Sequence, residues 1–272
     1  MSTLPAVVVP IHDGADALRA CLDSLRRTLP REVRVELVDD ASRDPAIGAQ
    51  LDALERDPPW NLRVVRQREN LGFVGTVNAA FARRTGDLVL LNSDTVTTGG
   101  WLERLARCAA SDPRIATATP FSNNAEICSF PEFCRANPVP ADPEAVARAA
   151  GATTPGYPEL PTAVGFCMFV RGAALAAVGD FDAGTFGRGY GEENDFCLRA
   201  AALGWRNVLC DDAYVVHLGG VSFGAVGLKP GGENLARLVA RYPKYNALVA
   251  DFIASDPLAP IRGRIAQRLE SR

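Results

Sequence analysis

Over the first 120 residues, short β-branched runs alternate with stripes of helical period, and few folds accept that pattern. Ala6–Pro10, Leu62–Val65, Leu88–Leu91 and Ile115–Thr119 are stretches of strand length, and Val33–Val38 is another that alternates with charge until it ends at Asp39-Asp40. Between them, Leu18, Cys21, Leu22 and Leu25 mark one helical face, Phe73–Ala82 is a helix opened by a glycine, and Trp101–Ala110 is another. Strands separated by helices predict βαβ units: an α/β fold with a mostly parallel central sheet flanked by helices. Ligands in such folds sit at the carboxyl ends of the strands.

The character then changes. Residues 120–162 are rich in proline and read as a long excursion across the mouth of a site, with Ala141–Ala150 as a short surface helix. Ala163–Val170 is the next predicted strand, followed by helices over Ala173–Val178 and Glu193–Leu203, the latter ending at Gly204. Val208–Leu209 and Tyr214–Leu218 read as two short strands, Glu233–Tyr242 as a helix, and the rest as an amphipathic tail bearing arginines.

Composition narrows the function. A net charge of -3 without a basic cluster argues against a nucleic-acid surface. Seven cysteines, irregularly spaced and mostly inside apolar runs, suit buried thiols in a reducing compartment better than a disulfide framework or a zinc site. No basic segment followed by an apolar core opens the chain, and no apolar run reaches the roughly 18 residues of a membrane span. The expected location is the cytoplasm, with peripheral docking at the inner face of a membrane left open.

Three acidic clusters stand directly after predicted strands or at a helix start. In Val38-Asp39-Asp40-Ala41-Ser42, Asp40 is either a helix cap or a contact to a nucleobase at the sheet edge. Asp94, in Leu91-Asn92-Ser93-Asp94-Thr95, ends the most hydrophobic strand. It is either a cap for a helix near Gly100 or a carboxylate for a hard cation whose other ligands are phosphate and water. The third cluster, Gly191-Glu192-Glu193-Asn194-Asp195, packs three acids into a helix start, more than its dipole requires, and offers a carboxylate to take a proton from a hydroxyl. His217 becomes a metal ligand only if the fold returns it to Asp94; Gly219, Gly220 and Ser222 after it would let backbone approach a phosphate. His12, in the first strand-to-helix loop, has a weaker case. Asn70 and Gly72 open the third helix, as cap and as a point of close approach. The chain lacks the glycine-rich signatures of P-loop NTPases, dinucleotide-binding Rossmann folds and α/β-hydrolases.

In this order the clusters resemble the signature of family-2 inverting glycosyltransferases with a GT-A-type fold. The matching pieces are Val7-Val8-Val9-Pro10, Val38-Asp39-Asp40-Ala41-Ser42, Asn70-Leu71-Gly72-Phe73 with Asn78, Asn92-Ser93-Asp94, Gly165–Val170, Gly191–Arg199 and Val216-His217. The resemblance implies one domain over 1–272: a nucleotide-sugar-binding half (1–120), an acceptor-side catalytic half (121–242) and a helical tail (243–272).

It also implies roles. Pro10 meets the base and Asp40 contacts it; Asn70, Gly72, Asn92 and Ser93 line the donor site. Asp94, with His217, would hold Mg2+ or Mn2+ on the donor diphosphate, and Asn92 stands where the family carries a first acid. Glu193 takes the place of the catalytic base, with Asp195 as its competitor and Glu192 beside it. Partners would be a dTDP- or UDP-sugar and a saccharide or lipid-linked acceptor. The Tyr190–Cys197 run with Ser122-Asn123-Asn124 looks most like rhamnosyltransferases of bacterial cell-surface polysaccharide, which implies dTDP-rhamnose. A sugar-phosphate nucleotidylyltransferase would want a basic loop after the first strand, and Pro10–Gly14 offers none.

Overall fold

A computed structural model describes residues 4–219 and 232–271. Gly220 and Ser222 therefore lie outside the described residues. β1 (Ala6–Ile11), β2 (Arg34–Asp39), β3 (Asn61–Arg66) and β4 (Leu88–Leu91) pair in parallel in the spatial order β3-β2-β1-β4. The crossovers are α1 (Ala15–Thr28), α2 (Pro45–Arg56) and α3 (Gly72–Phe81). Because the chain builds outward from β1 to β3 and then returns to β4 on the other flank, the strand order reverses between β1 and β4. That reversal opens a crevice at their carboxyl ends.

The sheet continues past β4 through β7 (Cys167–Val170), β6 (Ile115–Phe121), β8 (Arg206–His217) and β5 (Thr95–Thr97). Of these, β7 and β5 run opposite to the rest, so the sheet is mostly parallel, as the alternation of elements predicts. The remaining helices are α4 (Trp101–Ser111), α5 (Pro143–Gly151), α6 (Gly172–Val178), α7 (Ala183–Phe186) and α8 (Glu192–Ala202). After them come α9 (Gly232–Arg241), α10 (Tyr245–Ser255) and α11 (Ala259–Glu270). One core layer joins the sheet to α1, α2, α4, α5 and α11. A second, on the opposite face, joins it to α3, α6 and α8. Burial on both faces explains why the inner strands β1, β4 and β7 are continuous apolar runs.

Four features depart from the sequence reading. The stretch between β2 and β3 forms α2: Asp44 caps it through its carboxylate (2.9 Å to the Ala46 N–H), Pro45 starts it, and Ile47, Leu51 and Leu54 bury its inner face. α5 is not a surface helix, since Val146, Ala147, Ala149 and Ala150 are buried. The strand expected over Ala163–Val170 shortens to Cys167–Val170, because Val164, Gly165 and Phe166 turn to line a cavity.

The fourth departure matters most. The two short strands expected around Val208 and Tyr214 are one strand, β8, running straight through Asp211-Asp212. Both carboxylates are buried but compensated. Asp211 accepts N–H bonds from Gly156 (3.0 Å) and Tyr157 (3.1 Å), and Asp212 pairs with Arg107. Continuity lets the first part of β8 pair with β6 while its last residues pair with β5.

Leu37, wholly buried in β2, tests the packing of this sheet. Leu37→Ala is expected to cost about 2–5 kcal/mol in chemical denaturation; a loss below about 1 kcal/mol would contradict a close-packed core at that strand.

Candidate active site

The crevice between β1 and β4 is a cavity of about 410 Å³, within the ordinary range for a small-molecule site. Of the residues singled out from the sequence, Pro10, Asp40, Asn70, Gly72, Asn92, Ser93, Asp94, Glu192, Glu193 and His217 all line it. Asp195 does not.

Asp94 and His217 meet through β-sheet register. Thr95 pairs with His217 across the antiparallel β5–β8 ladder, and the Leu218 N–H donates to the Asp94 carbonyl at 2.9 Å. This sets His217 Nε2 3.4 Å from Asp94 Oδ1. The turn before β5 is closed by the Thr95 hydroxyl donating to the Asn92 carbonyl (2.8 Å), with the Asn92 N–H given to the Phe166 carbonyl (2.8 Å). The helix-cap alternative for Asp94 falls, since Gly100 caps α4.

His217 is gripped from its other side. Its Nδ1 lies 2.7 Å from the Asn124 carbonyl, its backbone N–H donates to Asn123 Oδ1 at 2.9 Å, and the Phe166 ring stacks on it with centroids 5.2 Å apart. The carbonyl fixes Nδ1 as the protonated nitrogen and turns Nε2 toward Asp94. Burial disfavours the charged imidazole, but the Asp94 carboxylate and the Asn124 carbonyl outweigh it and raise its pKa above the ordinary value.

Two donors are fewer than a closed metal cage needs, and among the described residues no group of three or more His, Cys, Asp or Glu could hold a metal ion. An oxygen and an imidazole nitrogen aimed at one point nevertheless fit a hard or borderline cation that keeps its other positions for phosphate oxygens and water.

Asp40 lines the cavity and also holds backbone. Its Oδ1 accepts the Leu71 N–H at 2.7 Å and its Oδ2 the Gly72 N–H at 2.9 Å, and the side chain is buried. It caps α3 from a neighbouring strand, a positioning role it fills while lining the cavity. Gly72 has φ +73°, and a Cβ there would come within 3.1 Å of the Arg188 backbone. Asn70 sits against the His12 ring at 3.0 Å and is held by the Arg188 guanidinium.

The third cluster divides between two faces of α8. Asp195 is fully buried, ion-paired with Arg199 and Arg241 at 2.7 Å each, and accepts the Tyr242 hydroxyl at 2.9 Å. That removes it as a base: both oxygens are committed to cations away from the cavity. Glu192 and Glu193 face the cavity instead, each with a buried Oε2 that has no hydrogen-bond partner. Gly191 makes this start possible with φ +98°, where a Cβ would press on the Phe186 ring at 3.0 Å.

Both glutamates ionise with difficulty. Burial and the charge of Glu193 push the Glu192 carboxyl well above the usual range. Burial, partly offset by N–H bonds from Glu193 itself and Gly191, raises Glu193, with the charge of Glu126 adding to it. Glu192 keeps its proton and gives a hydrogen bond to Glu193. Glu193 is thus the member of the pair that ionises first.

Sequence reasoning missed Glu126, Arg188 and the placement of Tyr190, all of which line the cavity. Glu126 and Tyr190 hold φ of +47° and +69° without being glycine, a backbone state that clusters at functional sites. No signal in the sequence marks Glu126. Arg188 lies just before the Gly189-Tyr190-Gly191 run, and only folding brings it to Asn70.

Residues 6–132 match the family model described as glycosyl transferase family 2. Solved structures share the fold at low identity. GalNAc-T7 with UDP, GalNAc and Mn2+ superposes with a TM-score of 0.67 at 16% identity, over 89% of this chain and 50% of that one. The mannosyltransferase PcManGT from Pyrobaculum calidifontis, in complex with GDP-Man and Mn2+, gives 0.56 at 16% identity, over 97% and 85%. S. aureus TarS 1-349 in complex with UDP-GlcNAc gives 0.57 at 19% identity, over 82% and 61%. The chain thus spans half the length of the GalNAc-T7 chain it matches. A search of curated proteins returned no match. The fold is GT-A-type, shared with these glycosyltransferase structures, and the family match lies in its first half.

A carboxyl whose native pKa is raised lends stability below its unfolded value, and that stability is lost as pH climbs through the native one. Glu192→Gln should therefore melt with wild type near pH 4 and increasingly above it as pH rises past about 4.3, the ordinary glutamate value. Thermal melts across pH check this; a difference that does not change with pH would contradict the forced proximity of the two acids.

Proposed function

We propose that the protein is a metal-dependent inverting glycosyltransferase that moves a sugar from a nucleotide-diphosphate donor to an acceptor hydroxyl. The acceptor is a saccharide or lipid-linked saccharide, and the setting is cell-surface polysaccharide synthesis at the cytoplasmic side. One observation carries the reading: the Asp94–His217 pair and the Glu192–Glu193 pair line a single cavity at the strand-order switch point. Charge neutralisation for a leaving diphosphate and proton removal from an incoming hydroxyl are the two needs of one in-line displacement.

Asp94 and His217 would hold Mg2+ or Mn2+. When bound, that ion supplies Lewis-acid stabilisation of the charge on the leaving diphosphate. The chain's own residues do the rest. Pro10, Asn70 and Gly72 form the floor on which the nucleotide lies, with Asn92 and Ser93 on the path toward Asp94. The ionised Glu193 accepts the acceptor's proton. Glu192, protonated and hydrogen-bonded to it, orients the carboxylate and favours its charged form, while burial, with the charge of Glu126, delays its ionisation until the neutral range. A base tuned in this way matches its task near neutral pH.

For the donor, the similarity of the Tyr190–Cys197 run and Ser122-Asn123-Asn124 to rhamnosyltransferases favours dTDP-rhamnose. A UDP-sugar is the second reading, favoured by the UDP held by GalNAc-T7 and the UDP-GlcNAc held by TarS in structures of the same fold. Among the described residues no helix is long and apolar enough to cross a membrane.

A thermal-shift panel of dTDP, UDP and GDP, with and without Mn2+, tests the donor half. One base type should stabilise the fold only with metal, by about 2.7 kcal/mol at a hundredfold excess over Kd; stabilisation by none of them would sink the reading. Glu193→Gln should bind that nucleotide as wild type does and lose transfer by about 10²–10⁴-fold. Retained transfer would move the base elsewhere.

A further inference from the structure

The ion pairs around Asp195 join two parts of the chain that lie far apart in sequence. Arg241, at the end of α9, places Nη1 2.7 Å from Asp195 Oδ1 and Nη2 2.8 Å from both Asp182 Oδ2 and Thr185 Oγ1. Its guanidinium also lies over the Phe186 ring, 5.7 Å from the centroid. Tyr242 adds its hydroxyl to Asp195. Two turns earlier on α9, Asn234 donates to the carbonyls of Phe186 (2.8 Å) and Gly189 (2.7 Å), and one turn earlier Arg237 donates to that of Thr185 (2.9 Å). All of these contacts fall on residues 182–189 or on α8, the segment that ends in Tyr190-Gly191 and carries Glu192 and Glu193 into the cavity. Asp195 stands two residues after Glu193, about 200° around α8 from it, with both oxygens taken by cations.

We propose that α9 is a clamp that positions the glutamate pair, with Arg241 its positioning residue and Asp195 the strut through which it acts. The inference rests on Glu193 being the base proposed above. A fully buried carboxylate bridging two guanidiniums and a phenol has one low-energy geometry, and removing a single partner leaves it uncompensated. The rotation of α8 about its axis, and with it the dryness of the glutamates, is thereby held from outside the cavity. The groups that face the pair from neighbouring elements are Glu126 from the turn after β6, Tyr190 from the loop, and Tyr245 from α10; Cys197 lies beside them on α8. The segment that supplies the clamp lies wholly beyond the family-matched residues 6–132.

Carbon-13 NMR of the full chain, labelled at the glutamate carboxyl carbons and assigned with Glu192→Gln and Glu193→Gln, reads the consequence without any substrate. In wild type the pair should titrate above the ordinary carboxylate range. In Arg241→Met, with α8 free to turn and admit water, both resonances should titrate lower by about one pH unit, whereas Arg241→Lys should keep most of the elevation. If Arg241→Met does not fold, Tyr242→Phe removes one hydrogen bond to the same strut and should give a smaller shift in the same direction. A folded variant of either kind whose glutamates titrate as in wild type overturns the clamp. Failure of the functional reading shows differently, as wild type that binds no nucleotide with metal while this coupling stays intact.

Discussion

The site depends on one backbone register. Thr95 of a three-residue strand pairs with His217 at the end of a twelve-residue one. A shift of that ladder by one residue would turn the imidazole to the other face of the sheet. Everything else around the pair serves to hold the register. Asn123 satisfies the backbone of His217, Asn124 sets its tautomer, Phe166 covers its ring, and the tight turn at Asn92 delivers Asp94. Two donors separated by more than a hundred residues in sequence thus meet at 3.4 Å because two strands have a fixed alignment.

Buried acids fall into two groups, and their partners decide which. Asp40, Asp195, Asp211 and Asp212 have oxygens filled by N–H groups or guanidiniums, and they tie elements together. Glu192 and Glu193 have oxygens left without partners in the cavity wall. An unpartnered buried carboxyl weakens the fold when ionised, and such an arrangement persists where its chemistry is used. The Asp195 network on the far side of α8 offsets this weakness where it arises, so that the strained face and the anchored face belong to one helix.

Much of this was legible in the sequence, and the failures have physical causes. β1 and β4 show as continuous apolar runs because both of their faces are covered, whereas β2 and the edge strand β3 alternate with charge. The acids at their ends show because strand ends at a switch point face the crevice. α2 was overlooked although Asp44-Pro45 and the spacing of Ile47, Leu51 and Leu54 announce it; its polar residues masked the stripe. The role of Asp40 was not legible, because the N–H groups it caps lie 31 and 32 residues away, and capping by a neighbouring strand leaves no local pattern. Glu193 and Asp195 look equivalent in a row of acids, yet two helical steps rotate them about 200° apart, one into the cavity and the other onto Arg241. Asp211-Asp212 read as a break between strands because their partners, Gly156, Tyr157 and Arg107, come from distant loops and helices. Which sugar is carried depends on a few contacts in the cavity wall, and no spacing rule encodes them.

The central claim is that Asp94 and His217 hold one divalent cation on the donor diphosphate. Pulsed electron paramagnetic resonance of Mn2+ bound with the nucleoside diphosphate that stabilises the protein tests it at the atom concerned. The account predicts a directly coordinated histidine nitrogen in wild type that is lost in His217→Gln, and Mn2+ binding abolished in Asp94→Asn. A wild-type spectrum without coordinated nitrogen, or one unchanged in His217→Gln, would contradict it.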